Sequence, residues 1–165
     1  MIIKELLKTI PQVGEVQKIT VRTERRGEVK EKESVLAIEG RGLEGDHYKK
    51  VDGKRQVTLI QKEHLDVIGS ILGKDKIDVK LTRRNIVVKG INLMSLKNQQ
   101  FRIGEAILEG TGDCHPCSRM EENFGHGGYN AMRGHGGLTA RVIKGGVIKK
   151  GDEVRFYDAV DTSIK

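Results

Sequence analysis

The stretch Gln100-Phe101-Arg102-Ile103-Gly104-Glu105-Ala106-Ile107-Leu108-Glu109 decides the fold class, because it reads as a strand, a turn at Gly104 and a second strand. Upstream, 13–22 is extended in character, with β-branched residues and charges intermixed. Val35-Leu36-Ala37-Ile38, Gln56-Val57-Thr58-Leu59-Ile60 and Asn85-Ile86-Val87-Val88 read as further strands. Downstream, Leu138-Thr139-Ala140-Arg141-Val142-Ile143 and Glu153-Val154-Arg155-Phe156 add two more, with a turn over Lys149-Lys150-Gly151-Asp152. One amphipathic helix interrupts them: Leu65, Ile68 and Leu72 recur at spacings of three and four, and Gly73 is placed to end it. The fold class that follows is mainly β with a few helices, arranged as a closed or nearly closed β-barrel, since closure removes exposed strand edges.

Glycine occurs 21 times and proline twice in 165 residues, a balance that suits short strands and tight turns. No internal repeat, low-complexity tract or linker divides the chain, so residues 1–165 are read as a single domain, with 1–12 and 158–165 peripheral. Charges break every apolar run before it reaches the ~20 residues that span a bilayer, which argues against membrane insertion. The start of the chain lacks a leader pattern and there are only two cysteines, so a cytoplasmic, reducing location is expected. The formal charge of +7, from 30 basic against 23 acidic residues, favours anionic partners. Nucleic acid is not the expected one, because no stretch interleaves basic with aromatic residues.

Both cysteines fall in Asp113-Cys114-His115-Pro116-Cys117-Ser118-Arg119-Met120. A thiol is a nucleophile or soft-metal ligand as thiolate, a form favoured by nearby cations or a helix start. Cys117 meets that description, since it lies next to a short helical turn beginning at Ser118 and two positions before Arg119. The plain alternative is that both cysteines are small buried apolar residues. Arg84, Arg119, Arg133 and Arg141 are candidates to hold a phosphate through paired guanidinium bonds, with Arg84 and Arg119 in the better context. Asp46 and His47, after Gly45, are candidates to orient a ligand, or else form a simple turn. The run 125–137 is read as a mobile glycine-rich loop beside the site, its amides free to bind an anion. It lacks the ending of a nucleotide P-loop, so ATP and GTP are not expected.

Three stretches together resemble the MOSC domain family, named for the C-terminal domain of molybdenum cofactor sulfurase: Gly42-Leu43-Glu44-Gly45-Asp46-His47, Leu81-Thr82-Arg83-Arg84-Asn85-Ile86, and Cys114-His115-Pro116-Cys117 with the ending from Ala140 to Asp152. The resemblance covers roughly residues 13 to 157 and is to the small stand-alone members. It implies a MOSC-type, pyruvate-kinase-barrel-like fold and an essential cysteine that matches Cys117. In the family that cysteine is proposed to carry sulfur as a persulfide, and in some members to coordinate the molybdenum of the pterin cofactor during reduction of N-hydroxylated compounds. The implied cofactor is molybdopterin, with Arg84, Asn85, Arg119, Asp46 and His47 as its candidate binders; pyridoxal phosphate binding is a family-level association. Implied partners are a cysteine desulfurase or other sulfur donor, molybdenum enzymes and electron-donor proteins. Cys114 would serve as a resolving thiol, releasing sulfide from a persulfide on Cys117 and leaving a disulfide.

Two other readings compete. Cys114, Cys117, His126 and His135 are the right ligand types for a zinc-binding module, although the histidines stand farther apart than in a short finger. Cys-His-Pro-Cys also suggests a thioredoxin-like dithiol, but it falls two-thirds along a strand-rich chain rather than near the start of an α/β domain.

Overall fold

The computed structural model describes residues 1–48 and 50–160. Its strands are β1 (Gly14–Val21), β2 (Lys30–Lys32), β3 (Ser34–Ile38), β4 (Gly42–Leu43), β5 (Val57–Gln61), β6 (Ile86–Lys89), β7 (Gln100–Ile103), β8 (Ala106–Asp113), β9 (Leu138–Lys144), β10 (Gly146–Lys149) and β11 (Glu153–Tyr157). Seven of them close into a barrel in the order β11-β7-β8-β9-β5-β6-β1, and β1 returns to β11 through Gly14↔Val154 and Glu15↔Glu153. The far end of the same β1 edge is covered by β2, whose Lys-Glu-Lys sequence leaves it charged and exposed, a composition that discourages further strand pairing. A second sheet, β10-β3-β4, packs beside the barrel.

Hairpin β7–β8 forms as read, with Phe101 opposite Leu108 and Gly104 turning the chain at φ 56°. Alternation along these strands sends Phe101, Ile103, Ala106 and Leu108 inward to join Val16, Ile19, Leu59 and Ile86 in one core. β5 is buried along its whole length for a topological reason: its pairing with β6 is parallel and needs a crossover. That crossover carries helix α2 (Lys62–Leu72), which stops at Gly73 in the left-handed region, φ 69°. Ile60 and Val87, on the outer face of β5 and β6, bury against Leu65 and Ile68 of α2 in a second cluster. Full burial of a side chain such as Ile68 stabilises the fold by roughly 1.5–3 kcal/mol.

The same cluster takes in Met120 and Phe124 of helix α4 (Arg119–Phe124) and Ala131 and Met132 of helix α5 (Gly128–Met132). This corrects the reading of 125–137 as a mobile loop, because Met132 is fully buried. Gly128 is the physical reason: a Cβ there would come within 2.6 Å of both the Met120 carbonyl and the Phe124 side chain, so only glycine lets α5 lie this close on α4. Two amides of this run are also already taken within the protein. The Glu121 carboxylate accepts from Gly127 N–H at 2.9 Å and Tyr129 N–H at 3.0 Å, and these bonds hold its pKa below the usual carboxylate value. The N-terminal turn, α1 (Ile3–Leu6), buries nothing, as its peripheral placement predicts. A third short helix, α3 (Val79–Thr82), precedes β6. No described helix is long and apolar enough to cross a membrane.

Candidate functional site

Strand β8 carries the chain to the rim of the barrel, where the cysteine segment leaves it. Cys114 is still anchored, its N–H donating to the Gly137 carbonyl at 2.8 Å, and its side chain is buried. Three residues on, Cys117 is exposed and its carbonyl accepts from Met120 N–H at the first turn of α4. Both thiols are free. The pair is therefore asymmetric, with Cys117 exposed and Cys114 buried.

Arg84 holds this arrangement from below. It is 3% exposed, and its guanidinium donates to the carbonyls of Gly136 (2.8 Å), Thr82 (3.0 Å), Cys114 (3.2 Å) and His115 (3.4 Å). No carboxylate lies within ion-pair distance of it among the described residues. Burial accordingly pulls its pKa down, a shift opposed chiefly by the nearby Cys114 and, less strongly, by Cys117. Gly136 permits the contact, since a Cβ there would sit 2.0 Å from the Cys114 carbonyl oxygen.

Its neighbours in the Leu81–Ile86 stretch take different roles. Arg83 ends α3 in the left-handed region at φ 60° and donates to the Arg25 carbonyl at 3.0 Å. Asn85, by contrast, is absorbed into the fold. Its Oδ1 accepts from Thr58 N–H (3.0 Å) and Oγ1–H (3.2 Å), and its Nδ2 donates to the Thr20 carbonyl (3.1 Å), so it joins β1 to β5 and does not line the cavity described next.

A cavity of about 460 Å³ opens beside Cys117. Seven arginines line it: Arg22, Arg25 and Arg26 from the end of β1 and the loop after it, Arg55 before β5, Arg83 and Arg84 after α3, and Arg119 at the start of α4. His47, His115, Ser118, Met120 and Glu122 complete the wall with Cys117. Among the described residues only Arg119 has a carboxylate nearby at ion-pair distance, Glu122 at 3.9 Å. Burial, and then the charge of Arg83, lowers the Arg22 pKa to about 10, against the opposing pull of Asp46. Asp46 is itself buried and accepts from the Arg22 backbone N–H at 3.1 Å, so it fixes the β1 exit rather than facing the cavity. His47 Nδ1 lies 3.6 Å from Asp46 Oδ1, too long for a good hydrogen bond, and burial keeps this imidazole below its ordinary pKa.

Of the residues singled out in the sequence, Arg84, Arg119, His47 and Cys117 meet at this cavity, while Asn85, Asp46 and Cys114 support it from behind. Arg133 bonds Asn130, and Arg141 pairs with Glu109 at 2.6 Å, both away from the cavity. The zinc reading is overturned: no group of three or more His, Cys, Asp or Glu among the described residues is gathered to hold a metal. His126 projects into solvent while His135 stacks edge-on against His64 at 5.2 Å. Sequence reading missed Arg22, Arg25, Arg26, Arg55 and Arg83, although Arg22-x-x-Arg25-Arg26 at a strand end was a visible concentration of guanidinium groups. Cys117 also borders a second, more open depression, formed with Pro116, Ser118 and Tyr129, whose lining holds no arginine. A further cavity of about 550 Å³, at Arg102, Arg155 and Tyr157 on β7 and β11, holds no thiol.

A family model described as MOSC domain matches residues 39–155. Solved structures share the fold. The YuaD protein from Bacillus subtilis superposes with a TM-score of 0.77 at 18% identity, over 91% of this chain and 100% of that one. YiiM from Geobacillus stearothermophilus gives 0.69 at 15% identity, over 88% and 75%, and YiiM from Escherichia coli gives 0.67 at 17%, over 89% and 71%. Among curated proteins, none matches the chain in sequence.

Proposed function

The chain belongs to the MOSC domain family, and from that premise we propose that it binds the molybdenum cofactor, with the pterin phosphate in the arginine-lined cavity and Cys117 as a protein ligand to the metal. One observation carries this reading: an exposed thiol stands on the wall of a cavity with seven arginines and a single lining carboxylate. The donor set fits the group. Thiolate is the soft ligand that such a metal prefers, and guanidinium groups match phosphate oxygens in charge and geometry. When bound, the cofactor supplies two-electron redox chemistry, which in the family includes reduction of N-hydroxylated compounds.

The residues divide the work. Arg22, Arg83 and Arg119 have the exposure and position to contact phosphate. Arg84 positions rather than binds, because its guanidinium is occupied by four carbonyls that fix the Cys114 to Cys117 turn. Asp46 sets the exit of β1 and thereby the direction of Arg22. Partners of this activity would be an electron-donor protein and a source of the cofactor.

A second reading, a persulfide carrier fed by a cysteine desulfurase, is favoured by the exposure of Cys117 and its place in a second depression whose lining holds no arginine. Cys114 would be its resolving thiol, reached only after the turn over it opens. Elemental analysis separates the two on protein from a host that makes the cofactor, comparing the parent with Cys117→Ser. Stoichiometric molybdenum that is lost in a folded Cys117→Ser variant is the expected result. Absence from the parent, or equal retention in the variant, would overturn the cofactor reading, and persulfide labelling of Cys117 would then test the carrier.

A further inference from the structure

The cysteine turn hangs on two adjacent glycine carbonyls. That of Gly136 accepts from Arg84 at 2.8 Å and that of Gly137 from Cys114 N–H at 2.8 Å. Both glycines lie hard against backbone: a Cβ on Gly136 would meet the Cys114 carbonyl, and one on Gly137 the Leu59 carbonyl of β5. The residue before them is His135. Its N–H donates to the Met132 carbonyl at 2.8 Å, and its ring meets that of His64 on α2 edge-on at 5.2 Å. His135 Nδ1 is buried and has no hydrogen-bond partner among the described residues. The helices on either side are fixed, because Leu65 and Ile68 of α2 share a core cluster with Ala131 and Met132 of α5. Strain at the two rings is therefore relieved in the short segment between Met132 and Leu138, which carries both glycines.

We propose that His64 and His135 latch the cysteine turn: while both imidazoles are neutral the rings stay packed and Cys114 stays buried, and protonation frees residues 135–137 and exposes that thiol. They are positioning residues, since neither lines the two concavities at Cys117 and both act through the Gly136 and Gly137 carbonyls. Among the described residues no carboxylate lies within ion-pair distance of either ring. Glu63, whose charge favours a protonated His64, has its carboxylate tied to the Gly90 N–H at 2.9 Å, while burial and then the charge of His135 act the other way and prevail. Of the nearby cations, Arg133 bonds Asn130, and Arg84 adds a fixed positive charge at the Gly136 carbonyl. An imidazolium in this contact thus lacks a partner, and the opened segment, where water reaches it, binds the proton more readily. Opening therefore grows as pH falls. The latch does not depend on whether the site holds a cofactor or a persulfide, and under the carrier reading it supplies the movement that Cys114 needs.

The test is thiol labelling in a Cys117→Ser chain, where Cys114 is the one remaining cysteine. Dithiodipyridine serves as the reagent because it reacts in acid as well as at neutral pH. The labelling rate of the folded chain, divided by that of the same chain unfolded in urea at each pH, gives an accessibility free of the thiol's own titration. That ratio is expected to rise as pH falls from 7.5 to 5, by no more than about tenfold per pH unit for one histidine, while circular dichroism shows the chain still folded. His64→Gln/His135→Gln in the same background removes both titrating rings and should flatten the profile, which loss of packing alone would not do; His64→Gln alone replaces it where the double variant does not fold. A flat profile before the histidines are changed, a slope that survives their replacement, or a labelling rate that follows global unfolding in low urea would overturn the proposal. None of these readouts involves molybdenum, so the latch and the cofactor reading stand or fall separately.

Discussion

Replacing Asn85 by alanine tests whether the arginine-asparagine stretch binds ligand or builds the barrel. Asn85 is 7% exposed, and its side chain satisfies the Thr58 N–H and the Thr20 carbonyl across two strands. Truncation leaves one buried donor and one buried acceptor without that partner, at roughly 1–3 kcal/mol each, for a central loss of about 4 kcal/mol. For a chain of this size each kcal/mol moves Tm by roughly 2–4 °C, so a fall of about 8–16 °C is expected. Thermal unfolding followed by circular dichroism reads that shift, and orthophosphate titration well below the new Tm reads the cavity. Phosphate affinity should stay close to that of the parent, because Asn85 contributes no atom to the cavity wall. A Tm within about 2 °C of the parent together with weakened phosphate binding would refute the reasoning and return Asn85 to the ligand set.

Gly136→Ala should cost about 1–3 kcal/mol, since its Cβ would stand 2.0 Å from the Cys114 carbonyl and must push the cysteine turn away. Iodoacetamide labelling should then reach Cys114 faster than in the parent, and unchanged labelling would show that Gly136 does not seal that thiol. Burial and the neighbouring His135 hold His64 below its usual pKa, so the unfolded chain binds the proton more readily than the folded one. The stability that follows is complete above about pH 6.5 and is lost as pH falls through the lower folded value. Urea midpoints measured from pH 7.5 to 5 should therefore decline in the parent and decline less in His64→Leu; parallel curves would exclude the pair as a source of acid sensitivity.

The strand content, the α2 helix and the hairpin around Gly104 were legible in the sequence because each rests on local periodicity. Closure was inferred from the need to remove edges, but which strands meet was not legible, since Gly14 and Val154 lie at opposite ends of the chain and nothing local links them. The glycine-rich run misled for a related reason. Its composition signals a loop, whereas Gly128 serves a close helix contact that only the packed structure reveals. At the site, Cys117 stood out through its neighbours in sequence, but the arginines come from four separate segments whose convergence is a property of the barrel rim. Asn85 shows the converse limit, a polar residue in a functional-looking stretch whose bonds are all internal.

The seam between β1 and β11 also bears on how the protein is made. In the order of translation β1 is the first barrel strand to emerge and β11 the last, yet they must pair with each other. Until β11 leaves the ribosome, the edge of β1 at Gly14 and Glu15 stays without its partner, and the barrel interior stays open along one side. Such a nonlocal last step is slow to find its register, and it leaves the nascent chain dependent on the charged β2 ribbon to keep the other half of that edge from pairing with neighbours.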